Sequence, residues 1–85
     1  MRENHHTKVY ILHLILKYKW YDLIKSGKKK IEYRDHTRYW VNRIWGKDFV
    51  TFHRGYTSET MTFRIKYVNW GRKTIEIHLG EGIDV

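Results

Sequence analysis

A chain of 85 residues is expected to form one small domain. At this size folding removes only a little more than about 60% of the unfolded chain's surface from water, so the core is thin. The 4 Trp, 7 Tyr and 3 Phe argue against a disordered chain and predict an aromatic-rich core. The absence of cysteine excludes disulfides and thiolate metal sites, and the chain carries a net charge of +8.

The positive charge is concentrated in the middle of the chain. Residues 17 to 43 contain nine Lys or Arg and three Asp or Glu, so this segment carries six of the eight net charges. Clustered positive charge attracts polyanions, and nucleic acid is the usual partner. A basic face that serves only solubility is the alternative, and composition favours neither.

The N-terminal part is predicted to lead from a loose terminus into a strand. Residues 1 to 7 lack apolar periodicity, so a single domain is expected over residues 8 to 85. Residues 9 to 16 are apolar at nearly every position, which predicts a strand covered on both sides. His13 interrupts this run and is expected either to be bonded in the core or to line a cleft.

This apolar run is also the longest in the chain. It is far shorter than the roughly 20 residues of a membrane-spanning helix, and no small-residue cleavage site follows it. We therefore expect a cytoplasmic protein that does not insert into membranes, and we expect it to be a monomer.

The next segment changes from helical to strand periodicity. Trp20, Leu23 and Ile24 recur at helical spacing before Gly27, which predicts a helix over residues 19 to 26. From residue 29 the period is two, with Ile31 and Tyr33 alternating with charged residues. This pattern predicts a strand whose apolar face belongs to the core and whose other face is charged.

A second short helix is predicted over residues 38 to 45. Thr37 is placed to cap its N-terminus, and an apolar stripe that begins at Trp40 is expected to face the core. Arg38 and Arg43 are then expected to face outward.

The rest of the chain is strand-like, with turns at residues 55 to 59 and 69 to 72. Within the strand at 60 to 68, Met61, Phe63, Ile65 and Tyr67 are predicted to share one face. The resulting order β-α-β-α-β-β-β predicts an α+β fold, a small and mostly antiparallel β-barrel with two short helices. Closure of such a barrel removes exposed sheet edges.

Residues 27 to 34 carry the pattern Gly-x-Lys-x-x-Glu-x-Arg, which resembles the signature of ASCH domains, small relatives of the RNA-binding PUA domains. The strand and helix that precede it are similar to the opening of these domains. Further similar pieces follow, namely Tyr39-Trp40, Arg43-Ile44, Gly55-Tyr56 and the stretch from Ile77 to Glu81. The resemblance covers roughly residues 9 to 82 and depends on the order of the pieces.

The resemblance implies a PUA-like β-barrel with a cleft beside the strand that bears the motif. In the family this cleft is proposed to hold RNA or a nucleotide-like ligand, and a few members are reported as hydrolases. One branch resembles an amidohydrolase acting on acylated cytidine, with a Thr where this chain has Glu32. The connection at residues 69 to 73 is also shorter than in many relatives.

Three motif residues are the main candidates for the site. Lys29 can bind phosphate as a point charge or act as a base. It also lies in a run of three lysines, so the alternative is a solvated surface lysine with no role in binding. Glu32 and Arg34 lie two apart on one strand face and can form a charge-assisted pair. Glu32 can also serve as a general base or accept from the exocyclic amine of a base, and the sequence does not choose among these roles.

Other candidates would complete an RNA-binding surface. Base stacking is expected from exposed aromatic residues, for which Tyr39 and Tyr56 are chosen, and His13 is a candidate cleft residue. Phosphate contacts are expected from Arg38, Arg43 and Arg54. The six histidines show no spacing typical of metal ligands, so neither a metal nor another cofactor is predicted.

These residues favour an RNA-binding module that holds single-stranded or looped RNA, or a nucleotide, in a basic cleft around Lys29, Glu32 and Arg34. The alternative is a small hydrolase, either a ribonuclease or a nucleoside amidohydrolase, in which Lys29 and Glu32 transfer protons. A third hypothesis is a phage-type interaction protein whose basic face meets an acidic host protein. The sequence does not identify such a protein partner.

Overall fold

The structure is a computed structural model that describes residues 8 to 83. It contains the predicted order of elements, β-α-β-α-β-β-β. The elements are β1 (Ile11–Leu16), α1 (Tyr18–Lys25), β2 (Ile31–Asp35), α2 (Arg38–Ile44), β3 (Phe49–Arg54), β4 (Thr60–Trp70) and β5 (Thr74–Ile83). The loose terminus predicted at residues 1 to 7 lies outside the described residues.

The five strands form one sheet in the order β1-β3-β4-β5-β2. β1 and β3 are parallel, and the other neighbouring pairs are antiparallel. The sheet curls into a half-barrel, which confirms the α+β class and the mostly antiparallel arrangement. The predicted closure is wrong for the described part of the chain, because β1 and β2 are edge strands that do not pair with each other.

The core lies between the inner face of the sheet and the two helices. Alternate residues of β1, β3 and β5 point into it, as expected for strands with one buried face. Its buried apolar residues are Leu12, Leu14, Leu16, Tyr21, Ile24, Ile44, Val50, Phe52, Ile75 and Ile77.

The first strand is buried on one face only, which corrects the prediction of a strand covered on both sides. The leucines at positions 12, 14 and 16 are buried, while Ile11, His13 and Ile15 are exposed. The outer positions of an edge strand are open to solvent here even though two of them are isoleucine. Apolar residues on both faces of a strand therefore do not require that both faces are buried.

The two faces of β2 are the reverse of the prediction. Glu32 is buried, and Tyr33, which was expected in the core, is 48% exposed. The pairing places Glu32 opposite Ile77 and Arg34 opposite Ile75, and directly opposite residues share a face. The charged face of β2 therefore points into the half-barrel, beside two core isoleucines.

A change of register in β4 corrects the prediction for Tyr67. Phe63 and Ile65 pack against the core, but Tyr67, predicted to share their face, is 52% exposed. The β4–β5 pairing shifts register on each side of Ile65, and an extra residue in a strand turns the side chains that follow to the opposite face. Val68 and Trp70 pack on the core instead.

Both helices begin and end close to the predicted residues. The side chain of Thr37 accepts a hydrogen bond of 3.3 Å from the backbone N–H of Trp40, which confirms the predicted cap. Gly27 follows α1 with a φ of 83°, the left-handed conformation expected there. Neither helix in the described part of the chain has the length and apolar character needed to cross a membrane.

Candidate functional site

A cleft of about 390 Å³ lies between the two edge strands of the half-barrel. One wall comes from the end of β1 and the start of α1, and the other comes from β2 and the residues just before it. The cleft is lined by Ile15, Leu16, Lys17, Trp20, Lys29, Glu32, Tyr33 and Arg34. The three charged residues of the Gly-x-Lys-x-x-Glu-x-Arg pattern thus meet in one cavity.

At the centre of the cleft, Glu32 is held between two cations. Its Oε1 lies 3.3 Å from Nζ of Lys29, and its Oε2 accepts a hydrogen bond from Nη1 of Arg34. The Glu32 side chain is 7% exposed, and the two cations are 17% and 18% exposed. We call these three residues the charged triad. A carboxylate this buried requires such partners, because an unpaired buried charge is costly.

Each cation of the triad is also fixed by the backbone of β2. Lys29 Nζ donates to the carbonyl oxygen of Ile31 at 2.6 Å, and Arg34 Nη1 donates to the carbonyl oxygen of Tyr33 at 2.7 Å. A lysine ammonium has three N–H donors and a guanidinium has five. Within residues 8 to 83, Nε and Nη2 of Arg34 make no hydrogen bond, so donors remain for a ligand.

Aromatic rings surround the two cations. Lys29 Nζ lies 4.8 Å from the ring centre of Tyr33 and 5.8 Å from that of Trp20. The Arg34 guanidinium lies 5.0 Å from the ring centre of Trp40, which supports it from α2. Trp20 and Tyr33 are 42% and 48% exposed, so both offer ring surface to a ligand in the cleft.

The electrostatics of the cleft are positive overall. The charged triad carries a formal charge of about +1, and Lys17 adds another positive charge to the lining. Lys19 lies 5.0 Å from the Trp20 ring centre, and Lys28 and Lys30 are exposed beside the triad. Charges in a partly buried cleft interact more strongly than charges in open water. The cleft therefore favours an anionic ligand.

Arg43, which was expected to face outward, is half-buried and connects α2 to the edge of β1. It donates to the Tyr39 hydroxyl at 2.7 Å and to the carbonyl oxygen of His13 at 3.0 Å. Its guanidinium also lies 5.5 Å from the ring centre of Trp40. These contacts give Arg43 a structural role beside the cleft, between the wall formed by β1 and the ring that supports Arg34.

The interpretation of His13 as a core histidine is wrong. Its side chain is exposed on the outer face of β1, where Nδ1 lies 3.0 Å from Nε2 of His53. Neither histidine belongs to the lining of the cleft. Among residues 8 to 83, no group of three or more His, Cys, Asp or Glu is arranged to hold a metal ion.

The remaining predicted arginines and tyrosines do not line the cleft. Arg54 makes two hydrogen bonds to Asp22, of 2.9 Å and 3.0 Å, and its guanidinium lies 4.2 Å from the ring centre of Tyr18. These hydrogen bonds hold the pKa of the Asp22 carboxyl below its usual value. Arg54 is thus already paired within the fold.

The other three surface candidates are exposed, as the sequence predicted. Tyr56 is 94% exposed in the β3–β4 turn, and Tyr39 is 59% exposed on α2. Arg38 is exposed at the start of α2, and no carboxylate in residues 8 to 83 lies within 4.0 Å of its guanidinium. All three remain predicted RNA contacts outside the cleft.

Trp20 and Lys17 are cleft residues that the sequence argument missed. Two apolar stripes are possible on α1, because Trp20 and Leu23 have the same spacing as Tyr21 and Ile24. The helix buries Tyr21 and Ile24, and Trp20 lines the cleft. The available signal was a tryptophan that follows Lys17 and Lys19, since aromatic residues among cations are typical of nucleic-acid surfaces.

Comparison with known proteins leaves the family open. No protein-family model matches the chain, and no curated protein matches it significantly. The resemblance to ASCH domains stays a prediction from the motif, so the function has to be argued from the geometry of the cleft.

Proposed function

We propose that this protein is an RNA-binding module of the PUA-like, ASCH type, which holds an unpaired nucleotide of single-stranded or looped RNA in the cleft between β1 and β2. The observation that carries the proposal is the charged triad, in which one buried carboxylate fixes two cations whose remaining donors line an open cleft. Fixed donors of this kind are suited to phosphate and to the polar edge of a base.

The triad divides the recognition of a nucleotide between its members. Lys29 and Arg34 bind phosphate oxygens through charge-assisted hydrogen bonds, which are stronger than neutral ones. Glu32 accepts a hydrogen bond from Arg34 and forms an ion pair with Lys29, and a carboxylate has about four acceptor positions, so it still accepts from a base N–H. Unpaired RNA exposes these base edges, whereas A-form duplexes hide them in a deep, narrow groove.

Stacking and the surrounding lysines supply the rest of the affinity. The rings of Trp20 and Tyr33 are both close to Lys29, and an exposed ring beside a cation is a stacking surface for a base. Lys17 lines the cleft, Lys19 and Lys28 are exposed next to the lining residues Trp20 and Lys29 in the chain, and all three contribute a sequence-independent attraction to phosphate.

The alternative function is a small hydrolase that uses Lys29 and Glu32. Their separation of 3.3 Å favours it, because it is close to the range for proton transfer. Glu32 also accepts from Arg34, so all three side chains are committed to one ionic cluster in the absence of a ligand. Binding is therefore the better supported of the two functions.

Binding of a fluorescently labelled single-stranded RNA tests the proposal. The logarithm of the affinity is expected to fall linearly as the logarithm of the salt concentration rises from about 50 to 200 mM, with a slope of about −0.7 for each phosphate contacted. The same RNA in a perfect duplex is the control and is expected to bind more weakly. The proposal is contradicted if the RNA does not bind or if its affinity does not change with salt concentration. Cleavage of the RNA supports the hydrolase instead.

A further inference from the structure

A row of aromatic and polar side chains crosses the outer face of the sheet next to the cleft. Tyr33 on β2 lies opposite Glu76 on β5, and on β4 Tyr67 lies opposite His78 while Asn69 lies opposite Glu76. Directly opposite residues in antiparallel strands project from the same face. We call these five residues the outer platform.

The side chains of the outer platform are ordered by contacts with one another. The rings of Tyr67 and His78 are stacked, with centres 4.1 Å apart and planes inclined by 15°. His78 Nε2 lies 2.9 Å from Oε1 of Glu76, and Asn69 Nδ2 donates to the same oxygen at 3.2 Å. The bond from His78, and then that from Asn69, lowers the pKa of Glu76, so this carboxylate stays ionised near neutral pH.

The outer platform has surface available for a ligand. Tyr67 is 52% exposed although one side of its ring is covered by His78. The opposite side of the ring is therefore open, and a flat exposed ring is a stacking surface for any nucleobase. Beside it, the ionised Glu76 accepts hydrogen bonds from N–H groups on the edge of a base.

The platform is continuous with the cleft. Tyr33 lines the cleft and also lies on the outer face, opposite Glu76. β2 and β4 are separated by β5 alone, which places them about 10 Å apart. A strand of RNA that leaves the cleft past Tyr33 reaches Tyr67 within one or two nucleotides.

Positive charge lies at both ends of this row. Lys28 and Lys30 share a surface depression of about 520 Å³ with Ile31 and Tyr33 at one end. At the other end, Arg72 and Lys73 share one of about 510 Å³ with Asn69 and Glu76. Cations on both sides of exposed rings suit an RNA strand, because the cations can contact its phosphates while the rings stack on its bases.

We infer that the outer platform is a second base-binding subsite, in which a base adjacent to the one in the cleft stacks on Tyr67 and donates a hydrogen bond to Glu76. The inference rests on the proposed function, because it extends the RNA path out of the cleft. It assigns the protein a footprint of more than one nucleotide. A mononucleotide fills the cleft alone, while a short oligonucleotide fills both subsites.

The test compares a labelled mononucleotide with a labelled single-stranded hexanucleotide on wild type, Tyr67→Ala and Tyr67→Phe. One stacked base contributes about 1–3 kcal/mol, so Tyr67→Ala is expected to weaken hexanucleotide binding by about 5- to 150-fold. Mononucleotide binding is expected to stay unchanged, which also shows that the variant is folded. Tyr67→Phe retains the ring and is expected to bind the hexanucleotide within about twofold of wild type.

Tyr10→Ala is the matched control, since Tyr10 is 49% exposed just before β1 and lies outside both surfaces. It is expected to leave both probes unaffected. The inference is overturned if Tyr67→Ala binds the hexanucleotide like wild type, if it weakens both probes equally, or if Tyr67→Phe loses as much as Tyr67→Ala. Failure of wild type to bind either probe overturns the proposed function itself and the second subsite with it.

Discussion

Replacing Glu32 with alanine is expected to lower the free energy of unfolding by about 3–5 kcal/mol, the usual cost of removing one partner from a buried ionic cluster. The Glu32 side chain is 7% exposed and faces Lys29 and Arg34, so its loss leaves two largely buried cations without a counter-charge. Urea denaturation followed by circular dichroism measures the change. A small domain has little stability to lose, so much of the variant is expected to be unfolded.

Glu59→Ala is the matched control for this experiment. Glu59 lies 2.8 Å from Lys25 in an ion pair whose side chains are 42% and 63% exposed. Exposed pairs contribute about 0–1 kcal/mol, so this variant is expected to stay close to wild type. Equal losses from Glu32→Ala and Glu59→Ala would show that the charged triad is not a buried centre of charge.

Replacing Lys29 and Arg34 together by glutamine is expected to weaken binding of single-stranded RNA by about 100-fold or more. Each hydrogen bond from a charged group contributes about 1.5–3 kcal/mol, and the loss of two corresponds to at least two powers of ten in affinity. Glutamine keeps an N–H donor near Glu32, which limits the damage to the fold. Fluorescence anisotropy of a labelled RNA measures the affinity.

A second double variant, Lys25→Gln with Arg64→Gln, separates the cleft from the overall charge. It removes the same number of positive charges, and Lys25 and Arg64 also have carboxylate partners, but neither lines the cleft. Only a few-fold loss of affinity is expected, because these side chains act through the general field of the protein. A loss equal to that of the cleft variant would mean that net charge, and not the cleft, binds RNA.

Local signals in the sequence predicted the order of the elements and several of their ends. Gly27 takes the left-handed conformation after α1, and Thr37 caps α2, because both depend on neighbours within a few residues. The motif also brought Lys29, Glu32 and Arg34 together correctly, since alternation in a strand places residues two apart on one face.

The errors concern features that depend on distant parts of the chain. Periodicity shows that Glu32 and Tyr33 lie on opposite faces of β2, but it does not show which of the two faces is buried. Glu32 can be buried because the fold provides cations that pair with its carboxylate. Tyr67 lies on the outer face because of a register shift against β5, which no signal near Tyr67 reveals. Arg54 was predicted to contact phosphate, but in the fold it pairs with Asp22, a residue far away in the chain.

The position of the ligand is the central claim, and the four tryptophan indole N–H groups report it most directly. Trp20 lines the cleft, whereas Trp45 is 69% exposed and lies beside Trp70, outside that lining. In a nitrogen–proton correlation spectrum, with signals assigned by single Trp→Phe variants, adding a mononucleotide is expected to shift the Trp20 signal most and to leave that of Trp45 in place. A ligand that binds while the Trp20 signal stays fixed, or that shifts Trp45 most, would contradict the assignment of the cleft.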